Sequence, residues 1–480
     1  MGPRNRVSEA IVLSALLLKL LLLAALYPRV PGMVLAPDSP TYVRPARALL
    51  LHGTFSPSPE AAPAPEVVRT PGFPLLVAGV YAVAGERPWL VAAVNALLCA
   101  GTAILVGWIA QGLGGARAGS AAVLLFSLEP STFHSSTTVM SEPLFTFLLC
   151  ASAWVLCRPG PPLGLARALA AGAALGGATL VRPVLYPLLL PAVLAVGVGL
   201  RAARRSLPAA LGVASGFALP LVVLVGGWQL RNWLRTGDAT FSHVGNAALY
   251  FFRSAAVEAG REGRTLPEQQ RRQGWDEFLY RFGFSGGERE TFGERRYSDL
   301  HPETARLTLP QLSRLYRERA LAVFRAEPAR TARLHAKGLF LLWASPPTVM
   351  WAYEYGLFRP DPEVRDAYLS LWLRESVRLF WERHRALAVL SVLSVVPVAV
   401  LLVAAARGLF RCAFRRDLAT HAVLLSLLVY LTAVHAGPES LDDRMRVPLV
   451  PFVAVYAGLG LAAGAGRARE PVAREGRDSG

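Results

Sequence analysis

Apolar runs of membrane-spanning length recur along this chain, and they restrict its possible folds more than any other feature. An apolar helix of about 20 residues is long enough to cross the hydrocarbon core of a bilayer. The chain has a mean hydropathy of +0.38 and only 17% charged residues. It therefore predicts an all-α polytopic membrane protein with about ten or more transmembrane helices. The candidate spans are residues 10–27, 89–110, 117–133, 140–157, 164–181, 183–200, 207–229, 386–406, 418–436 and 447–464.

The distribution of basic residues predicts which side of the membrane each loop faces. The formal net charge is +17, and the densest short basic segments, residues 201–205 and 407–417, lie between candidate spans. Basic loops tend to stay in the cytoplasm, so topology and anionic lipid explain this charge and no nucleic-acid partner is predicted. Arg4 and Arg6 place the N-terminus inside. Ten spans then put both basic loops and the tail inside as well, which makes the topology self-consistent.

Two large segments, residues 28–88 and 230–385, are predicted to lie outside the membrane on the other side. Short apolar stretches within them, at 71–85, 337–351 and 368–381, are interpreted as interfacial helices. A crossing of the membrane stays an alternative for residues 337–351. The predicted division is an N-terminal transmembrane module (1–229) with the first outer loop (28–88), an extracytoplasmic segment with a small subdomain (230–385), C-terminal transmembrane helices (386–466) and a cytoplasmic tail (467–480).

Two carboxylates lie at outer ends of candidate spans. Asp38 follows the first span, and either Asp38 or Ser39 is suited to cap a helix that begins near Pro40 and stops at Gly53. Pro45 is expected to push the start of that helix later. The alternative for Asp38 is a base that acts on an acceptor hydroxyl at the membrane surface. Glu142 has the same two interpretations, because a carboxylate in a first helical turn also satisfies free backbone amides.

Basic and amide side chains also gather at the outer ends of spans. Arginine binds phosphate through two parallel hydrogen bonds, which suits these residues to an anionic substrate. Anchoring at the lipid interface is the alternative, although the positive-inside rule makes arginines on the outer rim less expected. The candidates are Arg69, Arg182, Arg231, Asn232, Arg444 and Arg446.

The sequence gives no strong metal or nucleotide signature. It contains no HExxH motif, no close His/Cys cluster and no glycine-rich phosphate loop, so no metal site is predicted. A divalent ion held between Asp38 and Glu142 without any histidine stays open.

Six segments, taken in order, resemble a known group of membrane enzymes. They are APDSPTYVRPARALLLHGTFS (36–56), RTPGFPLL (69–76), SEPLF (141–145), RPVLYPLLL (182–190), WQLRNWLRTGDATFSHVGNAALYFF (228–252) and RMRVPLVPFVAVYAG (444–458). In this order the chain resembles bacterial glycosyltransferases of the GT-C type, in the branch of the protein O-mannosyltransferases and the lipid A aminoarabinose transferases. The likeness extends from residue 9 to about residue 464.

The resemblance implies an inverting transfer of a hexosyl or pentosyl group from a polyprenyl-phosphate donor to an acceptor hydroxyl. It implies a multi-pass protein of the bacterial inner membrane whose active site faces outside. The catalytic acid of the family's first outer loop matches Asp38, and a second acid matches Glu142. Tyr42 joins the arginines and Asn232 as an expected substrate-binding residue. Many relatives have Gly where this chain has Pro37, and the protein mannosyltransferases often have Glu where it has Ser39, so the sugar and the acceptor stay open.

Two other functions remain as alternatives. A transporter or flippase of a lipid-linked substrate is expected to carry charges inside its spans and to show an internal repeat. The spans here are nearly free of acids, and the sequence shows no repeat. A non-catalytic protein that binds a polyprenyl lipid would share every feature above except activity.

Overall fold

The computed structural model describes residues 5–58, 64–281, 299, 301–355, 357–359, 361–412, 414 and 417–462. Within these ranges every regular element is helical and no strand occurs. The predicted all-α polytopic membrane fold is confirmed. The predicted tail, residues 467–480, lies outside the described residues.

The helices follow one another with short connections. They are α1 (Arg6–Leu26), α2 (Pro40–His52), α3 (Gly72–Ala84), α4 (Pro88–Leu128), α5 (Pro130–Ser135), α6 (Glu142–Cys157), α7 (Leu165–Val181), α8 (Leu189–Ala202), α9 (Leu207–Leu221), α10 (Gly227–Thr236), α11 (Val244–Ala248), α12 (Ala255–Glu262), α13 (Leu266–Arg272), α14 (Trp275–Arg281), α15 (Pro302–Ala305), α16 (Leu309–Ala326), α17 (Pro328–Ala344), α18 (Pro347–Glu354), α19 (Pro362–Leu369), α20 (Leu373–Arg383), α21 (Arg385–Arg411), α22 (Leu418–His435) and α23 (Val450–Ala462). Short 3₁₀ segments cover Pro31–Val34, Pro183–Leu188, Pro438–Leu441 and Asp443–Arg446, and π-helical segments cover Val222–Gly226 and Leu249–Ser254.

Six helical segments of the described chain are long and apolar enough to cross a membrane. They are Arg6–Leu26, Pro88–Leu128, Pro183–Ala202, Leu207–Thr236, Arg385–Arg411 and Leu418–His435. The helices α3, α6, α7 and α23 are also apolar but shorter. All ten predicted runs are therefore helical, and they form most of one large hydrophobic core.

The longest helix, α4, is a hairpin of two arms. Gly115 has a φ of +79°, outside the helical region, and this conformation is easy only for glycine. Beyond it the chain returns along itself, because a Cβ at Gly119 would lie 3.0 Å from the carbonyl oxygen of Gly107. The two arms correspond to the predicted spans at 89–110 and 117–133.

The segment between α10 and α21 has its own small cores. Tyr250, Phe251, Phe278 and Tyr316 pack around one aromatic centre, with Tyr250 and Tyr316 stacked at 4.9 Å between ring centroids. This supports the predicted extracytoplasmic subdomain, while the other domain boundaries stay predictions. The predicted interfacial stretches 71–85 and 337–351 lie mainly in α3 and in α17 with α18, whereas 368–381 is split between α19 and α20 at Leu371, which has a φ of +59°.

Candidate active site

The connection before α2 is tied to the connection before α6, and this tie brings two distant acids together. Val139 donates its backbone N–H to the carbonyl of Val34 at 2.8 Å. The Ser39 hydroxyl donates to the carbonyl of Val139 at 2.9 Å. The side chain of Asn95 holds the same turn by donating to the carbonyls of Thr138 and Met140 at 2.8 and 2.9 Å. Asp38 and Glu142 thus lie at the same end of the helical bundle.

The helix that follows Asp38 begins at Pro40, as predicted, and ends at Gly53 with a φ of +64°. The predicted delay caused by Pro45 is wrong, because Pro45 lies inside α2. A proline there only removes the N–H that the carbonyl of Thr41 would otherwise accept from. Ser39 occupies the cap position without a side-chain cap bond. The Asp38 carboxylate is thus not used as a helix cap.

Asp38 instead lies between two guanidinium groups. Its Oδ1 is 3.2 Å from Nη2 of Arg69, and its Oδ2 is 2.8 Å from Nη2 of Arg444. Burial alone would raise the pKa of Asp38, but Arg444 and then Arg69 outweigh it, so the pKa lies below its ordinary value. With 32% of its side chain exposed, the carboxylate is still open to solvent.

Glu142 forms a second ion pair beside the first. Its Oε1 contacts the guanidinium of Arg182 and lies 4.0 Å from Nε of Arg444. Its side chain is 1% exposed, and Oε2 is buried with no hydrogen-bond partner. Arg444 is therefore shared between the two acids that sequence patterns single out.

Asp442 is a third acid at the same place, and the sequence analysis missed it. Its Oδ2 lies 2.5 Å from Nε of Arg444, and its Oδ1 accepts the backbone N–H of Arg444 at 3.2 Å. Burial raises the pKa of Asp442 to about 6, against the opposing effect of the Arg444 guanidinium. A signal was available, because Asp442 stands two residues before a candidate arginine at an outer span end. We call the six residues Asp38, Glu142, Asp442, Arg69, Arg182 and Arg444 the carboxylate–arginine cluster.

Tyr42 lines the cluster from α2. Its hydroxyl lies 3.2 Å from Oγ of Ser141, and the guanidinium of Arg69 lies 4.9 Å from the centre of its ring. Arg69 is placed by a turn in which the buried carboxylate of Glu66 accepts the backbone N–H groups of Val68 and Arg69 at 2.6 and 2.8 Å. The predicted residues Asp38, Tyr42, Arg69, Glu142, Arg182 and Arg444 thus meet in one place.

Two other candidates lie outside the cluster, contrary to the expectation that they bind substrate. Arg231 donates to the carbonyls of Glu66 and Phe55 at 2.6 and 3.0 Å, and it stacks on Trp228 at 4.7 Å. Asn232 donates to the carbonyl of Thr240 at 2.9 Å. Both side chains bond to backbone carbonyls, so they fasten the first outer loop and the connection after α10.

Arg446 is also outside the cluster, because it forms a fully buried ion pair. Its Nε lies 3.0 Å from Oε1 of Glu129, and its Nη1 donates to the carbonyl of Ser345 at 2.8 Å. The exposed fractions of the two charged side chains are 0% and 1%. Oε2 of Glu129 accepts the backbone N–H of Thr132 and caps α5. A substrate has no access to Arg446, so its role is to hold its own loop in place.

The loop that carries Asp442 and Arg444, residues 437–447, is fixed on several sides, and we call it the arginine loop. Arg253 pairs with Glu439 at 3.2 Å, and the Tyr368 hydroxyl donates to the carbonyl of Leu441 at 3.2 Å. A Cβ at Gly338 of α17 would lie 2.2 Å from the backbone nitrogen of Gly437, so only glycine fits there. The cluster is therefore built on a rigidly held loop.

The cluster has the character of an anion site with carboxylate bases. Its three arginines are directed at one point and are balanced by three acids in the absence of a ligand. Among the described residues, no group of three or more His, Cys, Asp or Glu side chains is placed to hold a metal ion.

A comparison with protein families gives one match. Residues 69–207 match the model of the dolichyl-phosphate-mannose-protein mannosyltransferases. The matched region covers less than a third of the chain and includes Arg69, Glu142 and Arg182 but neither Asp38 nor Arg444. The predicted resemblance to this superfamily is confirmed. No curated protein sequence is significantly similar to the chain.

Solved structures give low-identity matches over nearly the whole chain. One is the oligosaccharyltransferase AglB of Archaeoglobus fulgidus, with an inhibitory peptide and a dolichol phosphate, at 12% identity and a TM-score of 0.45. The match covers 95% of this chain and 50% of that one, so the chain spans about half the length of that archaeal enzyme. Another is ArnT of Cupriavidus metallidurans bound to undecaprenyl phosphate, at 14% identity, a TM-score of 0.40 and coverages of 95% and 77%. At these identities and TM-scores the likenesses carry no functional information.

Proposed function

We propose that this chain is an inverting glycosyltransferase that moves a sugar from a polyprenyl-phosphate donor to an acceptor hydroxyl. The observation that carries the proposal is the position of Asp38 between Arg69 and Arg444, beside the ion pair of Glu142 and Arg182. The family match over residues 69–207 supports the general class of reaction. The proposed setting is the outer face of a bacterial inner membrane.

The phosphate of the donor binds to the arginines of the cluster. Guanidinium groups match phosphate oxygens in geometry and charge, and they stay charged at every working pH. In the empty cluster the Asp38 carboxylate occupies the anion position between Arg69 and Arg444. The arriving phosphate competes for the same two cations, and the polyprenyl tail lies along the apolar helices.

Asp38 then takes the proton of the acceptor. The acceptor oxygen forms a bond to the anomeric carbon while the bond from that carbon to the phosphate oxygen breaks. The electron pair leaves with polyprenyl phosphate, and the hydroxyl proton moves to the Asp38 carboxylate. A phosphate that partly neutralises Arg69 and Arg444 raises the pKa of Asp38 toward its ordinary value, which makes the carboxylate a better base when the donor is bound.

Glu142 provides a second carboxylate oxygen at the reaction centre. Its Oε1 holds Arg182, and its buried Oε2 has no partner in the structure. A buried acceptor atom without a donor is costly, so an incoming hydroxyl or amine of the acceptor or the sugar is its natural partner. Glu142 therefore orients the substrate while Arg182 and Arg444 stabilise charge that develops on the leaving phosphate.

The test is release of polyprenyl phosphate by purified protein in lipid nanodiscs. A panel of polyprenyl-phosphate sugars is supplied with a mixture of protein, lipid and glycan acceptors, with and without EDTA. Wild type is expected to release the lipid phosphate with one donor, and Asp38→Asn to lose about 10²-fold or more of that rate. The productive donor and acceptor identify the sugar and the substrate, and the EDTA arm reports on a divalent ion.

A matched control keeps the interpretation specific. Asp366→Asn makes the same chemical change at an ion-paired aspartate on α19, outside the cluster, and is expected to keep wild-type activity. If wild type neither releases lipid phosphate nor binds any donor, the glycosyltransferase proposal fails. Movement of an intact donor across sealed vesicles would instead favour a flippase.

A further inference from the structure

The cluster is electrically balanced without a ligand, and this creates a problem for any anion that enters it. Three guanidinium groups face three carboxylates, as described above. A phosphodiester brings one more negative charge into a partly buried site. Uncompensated charge in such a place is strongly unfavourable. Binding of the proposed donor therefore requires either the loss of a carboxylate charge or the gain of a cation.

Asp442 is placed to supply that compensation. Both of its oxygens contact the same residue, Oδ1 at the backbone N–H of Arg444 and Oδ2 at its Nε. The Nη2 atom of that guanidinium faces Asp38. Asp442 therefore fixes the direction of Arg444 without occupying the face of the guanidinium that a phosphate would use.

The other two acids are less suited to taking up the proton. Asp38 is flanked by two guanidinium groups, which favour its charged form. Glu142 lies in direct contact with Arg182 and also near Arg444. Asp442 contacts one arginine only and has a second acid, Asp443, next to it, which disfavours its charge.

Charged groups surround Asp442 from each neighbouring element. The acids raise its proton affinity and the arginines lower it, while the histidines are candidates for the same proton. These groups are Arg444, Asp443 and Arg446 on its own loop, Glu142 at the start of α6, Glu129 and His134 at α5, His435 at the end of α22, and Tyr368 on α19.

We propose that Asp442 is a positioning residue for Arg444 that takes up one proton when the phosphodiester of the donor binds. The proposal rests on the proposed function, since it concerns the same phosphate. Protonated Asp442 keeps one oxygen as an acceptor for the backbone N–H of Arg444. The cluster then has a net charge of about +1, which complements a single phosphodiester charge.

The binding of a non-reactive probe tests this. A polyprenyl methyl phosphodiester has one negative charge throughout the working range and has no sugar to transfer, so its own ionisation does not interfere. Its Kd for wild type in neutral-lipid nanodiscs is expected to rise with pH. Because free Asp442 has a pKa of about 6, the increase approaches about 50-fold from about pH 6 to about pH 8 if only the protonated form binds.

Two variants separate Asp442 from the other candidates. Asp442→Asn keeps the acceptor oxygen but is neutral at every pH, so its Kd is expected to be independent of pH and tighter than wild type at about pH 8. Asp443→Asn makes the same change next door and is expected to keep the wild-type slope. A slope that survives in Asp442→Asn would assign the proton to another group and overturn the proposal.

Proton uptake by wild type gives a readout that does not depend on any variant. Calorimetric titration of the probe at about pH 7 in buffers of different ionisation enthalpy is expected to show uptake of about one proton per site. Binding without uptake would overturn this inference and leave the proposed function standing. No binding of the probe at any pH would overturn both.

Discussion

Arg444 and Arg446 are two residues apart on one short turn, and they do different work. Arg444 is 23% exposed and is shared among Asp38, Glu142 and Asp442. Arg446 is fully buried and bonded to Glu129 and the carbonyl of Ser345. Both are arginines paired with acids at the outer end of a span. The difference teaches that an ion pair points to ligand binding only where solvent and several acids reach the same cation.

The largest expected effect comes from breaking the buried pair. Arg446→Met leaves the Glu129 charge buried without a partner, which is expected to cost about 3–5 kcal/mol of unfolding free energy. The measurement is the thermal midpoint of the protein in nanodiscs. Adding Glu129→Gln to Arg446→Met is expected to recover part of the loss, because glutamine is uncharged yet keeps an acceptor for Thr132. A single variant as stable as wild type would show that the pair contributes nothing.

Removing the exposed partner is expected to affect turnover instead of stability. In Arg444→Gln, Asp38 still contacts Arg69 and Glu142 still contacts Arg182, so the thermal midpoint stays near wild type. Loss of one cation directed at the leaving phosphate is expected to lower kcat by about 10²–10³-fold. Arg365→Gln, at an exposed pair on α19, serves as the control. A midpoint as low as that of Arg446→Met would erase the distinction between the two arginines.

The smallest expected effect tests the rim of the cluster. Tyr42→Phe removes the hydroxyl that lies 3.2 Å from Oγ of Ser141 but keeps the ring beneath Arg69. It is expected to cost about 0.5–1.5 kcal/mol of stability, the value of one hydrogen bond, and less than about tenfold in turnover. Ser141→Ala removes the other partner, and the double variant should cost less than the sum. Additive losses would mean that the two hydroxyls do not interact.

Hydropathy and charge patterns were enough to predict the helical segments and the grouping of Asp38 with Glu142. Apolar runs fix where helices occur in lipid, and loop charge fixes which ends share a face. The hairpin at Gly115 and the start of α2 at Pro40 agree with that reading. The likely effect of Pro45 did not, because tertiary contacts of α2 override a local preference.

The roles of individual arginines were beyond the sequence. The segment DDRMR presents Arg444 and Arg446 in equivalent surroundings along the chain. Their difference depends on Glu129, about 300 residues earlier, and on the carbonyl of Ser345. Asp442 was missed for the same reason, since only the fold shows that both of its oxygens contact Arg444.

The close approach of Gly338 to Gly437 has a mechanical consequence. Most neighbouring elements are separated by a layer of side chains, whose rotamers can absorb small displacements. At Gly338 the backbone of α17 lies directly on the arginine loop, with no room for even a methyl group. Close-packed contacts transmit strain. The extracytoplasmic helix is thus a lever without play, and a substrate that presses on α17 moves the Arg444 guanidinium with it.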